Sequence, residues 1–164
     1  MKKDLLQFCW KQVDDRAARL KRQSDELHES LDSETKNAAG DKHETGRAMV
    51  QLEQEKLGQQ LQEVDAIRTV LRKIDIDKQT DYIRLGSLVR TSMANYFVAI
   101  SAGLFTSGQE KVYCISANAP IAQALWGKKK GDSFVFNGAE HSILEVICRF
   151  ANRLPPFAFP VFPS

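Results

Sequence analysis

The chain has 164 residues, of which 27% are charged and 43% are hydrophobic, and its formal net charge is +2. Residues 1–79 carry 15 basic and 16 acidic side chains, and residues 80–164 carry 8 and 5. Neither part resembles a domain that neutralises many phosphates, so stable binding of free nucleic acid is not expected.

The N-terminus lacks the apolar region of a signal peptide, and no apolar run is long enough to span a bilayer. The three cysteines, Cys9, Cys114 and Cys148, are odd in number and widely spaced. This pattern matches neither a disulfide framework nor a zinc site. These features predict a cytoplasmic protein with no membrane partner.

The first of two long polar segments has a row of mostly apolar positions at alternating spacings of four and three, which is typical of a coiled-coil seam, and the seam resumes in the second segment. The first seam comprises Val13, Ala17, Leu20, Ser24, Leu27 and Leu31. The second comprises Val50, Leu57, Leu61, Val64, Leu71 and Ile74, with Ile67 beside it. Because the segments are similar in length, we expect an antiparallel helical pair about 45 Å long. Ser24 and Glu53 dilute the seam.

The pattern stops between the two segments, from Asn37 to Arg47, where Gly40 and Gly46 disfavour a helix interior. Asp41 and Glu44 lie three residues apart in this tip. The spacing fits a capping box, in which both acids bind backbone N–H groups at a helix start. The same position would also let the carboxylates project into whatever the tip enters. With His43 they form a poor independent metal site, because hard cations need more oxygen ligands.

A polar connector from Ile74 to Asp81 precedes a change in composition. The segment from Leu88 to Ile100 is rich in β-branched and aromatic residues and predicts one or two strands. A glycine turn at residues 106–109 leads into a predicted strand at residues 111–115.

A short helix is expected to begin at Pro120 and end before Gly127. The strand at residues 133–136 is followed by Asn137-Gly138, a strong hairpin signal, and by a partner strand at residues 141–150. The lysine run at residues 128–130 is expected in a turn. The prediction is an α+β chain: an antiparallel coiled-coil hairpin at residues 1–79 with its tip at 40–46, a small antiparallel-sheet domain with one short helix at 80–152, and a proline-rich tail at 153–164.

Two motifs resemble the bacterial transcript cleavage factors GreA and GreB. Gly40-Asp-Lys-His-Glu44 is similar to that family's Gly-Asp-x-x-Glu. The segment Ile115-Ser-Ala-Asn-Ala-Pro-Ile-Ala-Gln-Ala-Leu-Trp-Gly-Lys-Lys-Lys-Gly-Asp132 is similar to its Ile-Ser-Pro-x-Ser-Pro-Ile-Gly-x-Ala-Leu-x-Gly-Lys-x-x-Gly-Asp. The later Ile143-Leu-Glu-Val146 is similar to its closing strand. The resemblance covers about residues 10–150 and implies a second domain like the FK506-binding proteins.

The resemblance also implies a function. It predicts a transcription elongation factor, not itself an enzyme, that docks on RNA polymerase and inserts its coiled coil into the secondary channel. There Asp41 and Glu44 would share a Mg²⁺ ion with polymerase and stimulate cleavage of the 3′ end of backtracked RNA. Lys36 and Arg47 would contact RNA or polymerase. The isolated chain is expected to hold no metal stably.

The chain also departs from the family pattern. Thr45 and Gly46 follow Glu44 where the family usually has Asn and Ala, and Ala117, Ala119 and Ala122 replace Pro, Ser and Gly. Two alternatives therefore stay open. One is a Gre-like regulator or inhibitor of the secondary channel without cleavage activity. The other is a prolyl isomerase, which would need a pocket lined by aromatic residues such as Tyr96, Phe97, Tyr113 and Trp126.

Overall fold

The computed structural model describes residues 1–36 and 42–147, without the side chains of residues 34–36 and 42–45. Two long helices come first, α1 (Lys2–Lys36) and α2 (Lys42–Arg72). They are followed by strands and one short helix, in the order β1 (Leu88–Thr91), β2 (Asn95–Ala99), β3 (Gly103–Ser107), β4 (Glu110–Ser116), α3 (Pro120–Leu125), β5 (Ser133–Phe136) and β6 (Ala139–Ile147). The predicted α+β class is confirmed. In the described part of the chain, neither long helix is apolar enough to cross a membrane.

The two predicted seams lie along the contact between α1 and α2. Every one of their residues is buried or half-buried, and α1 begins eleven residues before the first seam residue predicted, Val13. Leu5 and Cys9 continue the spacing toward the N-terminus and are fully buried. Glu53, which was expected to dilute the seam, is exposed. The neighbouring Gln54 is half-buried and takes the seam position instead. The buried seam thus begins earlier in α1 than the predicted seam, within the hairpin expected for residues 1–79.

The strands form a six-stranded sheet in the order β3-β4-β2-β1-β6-β5. All neighbouring strands are antiparallel except β2 and β4, which are parallel. The sheet is therefore mixed, whereas the sequence predicted an antiparallel one. The difference arises because the β3–β4 hairpin adds to β2 through its second strand. β4 has alternating buried residues that fit the interior of the sheet, and the largely exposed β3 is left at the edge.

The local turn predictions agree with the structure. Phe136 pairs with Ala139, and Asn137 and Gly138 between them both have positive φ, 51° and 77°, as a two-residue type I′ hairpin requires. Pro120 opens α3, and Gly127 follows its end with a φ of 73°. The turn expected at residues 106–109 lies at Gly108-Gln109. The last three residues of the predicted strand 141–150, the proline-rich tail at 153–164 and Cys148 lie outside the described residues.

The sheet has an apolar core on each face. On one face, α3 packs on residues that include Val98 and Phe134. On the other face, the base of the hairpin, which comprises residues 2–13 of α1 and 64–72 of α2, packs on residues that include Phe97 and Val112. The ring of Phe8 in α1 also meets Phe105 in β3 edge-to-face, with centroids 5.4 Å apart. One apolar core therefore joins the base of the hairpin to the sheet. The division at residues 79/80 stays a prediction.

Candidate functional site at the far end of the hairpin

Polar contacts between α1 and α2 fix their relative direction. Three pairs bridge the helices, at separations of 2.9 Å for Asp14–Arg68, 3.3 Å for Arg16–Glu63 and 3.2 Å for His28–Gln54. Each pair is nearly symmetric in sequence about Gly40-Asp41, so the two helices run antiparallel. The motif Gly40–Glu44 therefore lies at the centre of the hairpin register.

The sheet and the tip are at opposite ends of the helices. Val13 is the last residue of the base on α1, and from there to Lys36 the helix rises about 35 Å, at 1.5 Å per residue. Over its whole length, 35 residues, α1 is about 50 Å long. This agrees with the expected length of about 45 Å. The base packs on one face of the sheet. The far ends of α1 and α2 are therefore held away from the rest of the described fold.

The outer half of the hairpin comprises residues 24–36 of α1 and 42–57 of α2, and its described apolar side chains lie mainly between the two helices. Leu27, Leu31 and Val50 are half-buried rather than buried. A groove of about 580 Å³ runs between the helices here, lined by Gln23, Glu26, Leu27, Ser30, Glu53, Lys56, Leu57 and Gln60. Met49 and Leu52 are each 66% exposed. The outer half is thus a slender two-helix element whose described surface is mainly polar apart from these two apolar side chains.

The backbone assigns positions to the predicted site residues. Asp41 lies outside the described residues, and α2 begins at the next residue, Lys42. Glu44 is the third residue of α2, and its side chain is outside the description. Asp41 and Glu44 thus hold the N-cap and N3 positions in sequence, which is the arrangement of a capping box. The capping and the catalytic interpretations of the two acids both remain compatible with this helix start.

The two predicted basic contacts flank the turn from opposite helices. Lys36 is the final residue of α1, with its side chain outside the description. Arg47 is an exposed residue of α2, three positions after Glu44 and therefore on the same helix face. The helix continues through the half-buried Gly46, although glycine was expected to loosen this turn. The backbone therefore carries Glu44 and Arg47 on one continuous helix.

Two carboxylates supply hard oxygen ligands, which suit Mg²⁺, but a cation of this kind takes about six. Among the described side chains, none of the His, Cys, Asp and Glu residues form a group of three or more that could hold a metal ion. Asp41 and Glu44 are not among those side chains. The two carboxylates could supply some of the ligands of a metal ion whose remaining ligands come from a partner.

The four aromatic residues considered for an isomerase pocket are divided by the sheet. Phe97 belongs to the core on the hairpin face, whereas Tyr96 belongs to the core on the α3 face. Tyr113 contacts Tyr96, with ring centroids 6.1 Å apart, and Trp126 is 48% exposed at the end of α3. Phe97 therefore cannot line one pocket with the other three. This arrangement does not favour the isomerase interpretation.

The described residues define an α+β protein in which a mixed sheet anchors one end of a long antiparallel helical hairpin.

No protein-family model matches the chain, and none of the curated proteins matches it. The solved structures that are similar to it include two of Gfh1. The crystal structure of GreA factor homolog 1 (Gfh1) of Thermus thermophilus is 17% identical, with a TM-score of 0.34, over 84% of this chain and 93% of that chain. A structure of the transcription factor Gfh1 is 19% identical, with a TM-score of 0.31, over 80% and 92%. Similarities at these values concern the fold and carry no inference about function.

Proposed function

We propose that the chain is a transcription elongation factor that docks on RNA polymerase, inserts its hairpin into the secondary channel and stimulates cleavage of backtracked RNA. One observation carries the proposal. The motif Gly40–Glu44, which resembles the Gly-Asp-x-x-Glu of the transcript cleavage factors, falls at the centre of the register of a hairpin about 50 Å long. A hairpin anchored only at its base is suited to carry that motif into a deep channel.

The chemistry of the tip follows from its charges. Asp41 and Glu44 present carboxylate oxygens to a Mg²⁺ ion whose remaining ligands come from polymerase and RNA. The ion, when bound there, would activate water and stabilise the charge that develops on the phosphate. Lys36 and Arg47 flank the turn and contact phosphate groups or polymerase. In this proposal the chain is not itself an enzyme: it completes the cleavage activity of polymerase in the cytoplasm.

The test measures shortening of RNA in a stalled, backtracked polymerase complex. We predict that the wild-type chain accelerates shortening and that the double variant Asp41→Asn with Glu44→Gln abolishes this acceleration, because neutral amides are poor ligands for Mg²⁺. Asn and Gln preserve the capping box, so the variant should lose only a few tenths of a kcal/mol of stability, from the weakened interaction with the helix dipole.

A matched control carries the same loss of charge elsewhere on the hairpin. Asp25→Asn with Glu29→Gln removes two exposed carboxylates of α1 at a distance from the tip. We expect this control to cleave like the wild type and the tip variant to compete with the wild type for polymerase. Undiminished cleavage by the tip variant would mean that Asp41 and Glu44 serve only as helix caps.

Docking is measured as competition for polymerase. A fragment of residues 80–152, which lacks the hairpin, is unsuited to this measurement. Three core side chains of the sheet on the hairpin side, Leu88, Phe97 and Val112, are at most 2% exposed in the full chain. Removing the hairpin would expose them to water and destabilise the sheet. Competition for polymerase is therefore measured with full-length variants.

The departures at Thr45 and Gly46 favour a second candidate, a regulator that occupies the secondary channel without stimulating cleavage. Its signature would be a wild-type chain that slows RNA synthesis and leaves backtracked RNA at full length. In that case the tip variant would inhibit as well as the wild type, because occupancy does not depend on the two carboxylates.

A further inference from the structure

A shallow apolar patch lies on the outer strands of the sheet, on the face that carries α3. Tyr113 of β4 is 46% exposed, and its partner in β3, Leu104, is 42% exposed. Their chain neighbours Val112 and Phe105 pack in the core on the hairpin side. Because successive residues of a strand point to opposite faces, Tyr113 and Leu104 point to the α3 side. We call these two residues, with the ring of Tyr96, the tyrosine patch.

The patch is exposed because α3 is too short to cover it. The six residues of α3 span about 9 Å, the width of about two strands. Its buried residues Ile121 and Leu125 belong to the same core as Val98 and Phe134. Among the described residues, that core includes no side chain of β3, and from β4 it includes only the half-buried Ile115. The outer strands thus lie beyond the reach of the helix.

The two tyrosine rings form one aromatic surface. Tyr96 and Tyr113 pair across the parallel strands β2 and β4, and their ring centroids are 6.1 Å apart with 33° between the ring planes. Tyr96 is buried, so it fixes the position of the exposed Tyr113 ring. Aromatic surfaces that carry hydroxyl groups bind extended proline-rich segments, whose rings stack on them. The patch residues are uncharged, which favours an apolar ligand.

A segment of this composition follows β6 in the sequence. Residues 154–163 contain four prolines, three phenylalanines and no charged side chain. Proline fixes φ at about −65° and disfavours a helix at the residue before it, so the sequence favours a polyproline conformation. Residues 160–163 also have the Pro-x-x-Pro spacing that aromatic grooves recognise. The segment lies outside the described residues, but its composition matches the tyrosine patch.

The register of the sheet shows that the segment can reach the patch. Ile147, the last described residue, is in register with Cys114 of β4 through the two strands between them, β1 and β2. Three strand spacings, about 14 Å in all, therefore separate Ile147 from the neighbourhood of Tyr113. Leu154 comes seven residues after Ile147, and an extended chain of that length spans about 22 Å. The excess lets the chain pass around α3 and leaves residues 154–163 to lie on the patch.

The exposed aliphatic residues beside β5 fit the segment less well. Val135 of β5 and Leu144 of β6 are both exposed. Val135 pairs with Glu140, four residues before Leu144, so about 13 Å separates the two aliphatic side chains. They form no continuous surface and supply no aromatic ring.

We propose that residues 154–163 bind the tyrosine patch of their own chain, which makes the proline-rich segment an intramolecular ligand of the α3 face. Its prolines and phenylalanines stack on the ring of Tyr113 and against Leu104, and the hydroxyl of Tyr113 donates a hydrogen bond to a backbone carbonyl of the segment. Binding within the chain is favoured over binding between chains, because the short tether gives an effective concentration on the order of millimolar.

The test measures NMR relaxation of backbone amides in the full-length chain. In the wild type, the non-proline residues of 154–163 should have order parameters of about 0.85, and their rings should show nuclear Overhauser effects to Tyr113 and Leu104. In the double variant Tyr113→Ser with Leu104→Ser, these order parameters should fall below about 0.6. Phe157→Ser with Phe159→Ser should have the same effect and changes no residue of either core, so the test does not depend on the folding of the first variant.

The matched control is Val135→Ser with Leu144→Ser, which removes the same number of exposed apolar side chains and should leave the segment ordered. Low order parameters for the segment in the wild type would overturn the proposal. So would ring contacts to Val135 or Trp126 in place of Tyr113. Contacts that appear only between labelled and unlabelled copies in a mixed sample would also overturn it, because the segment would then bind a second chain.

Discussion

The base of the hairpin and its outer half are parts of the same two helices, yet they are held in different ways. At the base, Leu5 and Leu71 are at most 1% exposed and pack into a core shared with the sheet. In the outer half, Leu27 and Val50 are half-buried in a seam between two helices only. The apolar contacts that stabilise the fold are therefore concentrated at one end, and the other end contributes length and a polar surface.

This division has a functional logic. An element that enters a partner must stay folded without a surrounding core, and the antiparallel seam is the minimum that allows this. Such an element should open locally at a lower free energy than the core. The contrast between base and outer half can be measured, because equivalent substitutions at the two ends should have unequal effects.

The largest effect is expected at the base. Leu5→Ala should lower the free energy of unfolding by about 3 kcal/mol, because it leaves a cavity between α1 and the sheet. Leu27→Ala, the same change in the outer half, should cost about 1 kcal/mol, since Leu27 is only half-buried and the seam can relax. Urea denaturation of both variants measures the difference. Equal costs at the two positions would show that the seam is as tightly packed as the core.

The next effect concerns the junction between the end of α2 and the sheet. Gly86 has a φ of +88°, and a Cβ there would lie 3.1 Å from Cγ2 of Ile74. Gly86→Ala should therefore cost about 2 kcal/mol, from backbone strain together with this contact. Gly103→Ala is the matched control, because Gly103 has a φ of +86° and its Cβ would meet nothing within 4 Å. Gly86→Ala should lower the melting temperature more than Gly103→Ala does. A larger decrease in Gly103→Ala would show that the contact with Ile74 has no role.

The features of the fold differ in how well the sequence predicts them. The seams, the Asn137-Gly138 turn and the short helix after Pro120 follow from periodicity and turn chemistry, which are local properties. The buried positions Leu5 and Cys9, before Val13, were not among the predicted seam residues because they pack against the sheet, which is distant in sequence. The edge strand β3 and the parallel pairing of β2 with β4 depend likewise on non-local contacts.

The site divides in the same way. The motif Gly40–Glu44 and the flanking Lys36 and Arg47 could be selected from sequence, because the resemblance is carried by residues close together in the chain. The position of this motif at the centre of the hairpin register needed the contacts between helices, such as His28–Gln54. The roles of Asp41 and Glu44 stay a prediction, because their side chains lie outside the described residues.

A smaller effect, of opposite sign, is expected within α2. Gly58 is exposed, and a Cβ at this position would meet nothing within 4 Å. Gly58→Ala should therefore raise stability by about 1 kcal/mol through helix propensity alone. The matched reverse change, Ala66→Gly at an exposed position within the base, should lower it by a similar amount. If the outer half opens separately from the core, Gly58→Ala, which directly adjoins that half, will slow amide exchange there more than it raises the melting temperature. A uniform change in exchange along α2 would argue that the hairpin unfolds as one unit.

The smallest effect is expected from the charged contacts beside the base. Arg68 of α2 lies 2.9 Å from Asp14 of α1, and their side chains are 29% and 59% exposed. An ion pair so open to water should contribute only about 0.5 kcal/mol, measured as the coupling between Asp14→Ala and Arg68→Ala in a double-mutant cycle. The coupling should shrink further in 1 M salt, where the screening length falls to about 3 Å. The control pair Arg16–Glu63, at 3.3 Å and also exposed, should couple no more strongly. A coupling well above 1 kcal/mol that persists in salt would mean that ion pairs, and not only the apolar core, hold the base of the hairpin together.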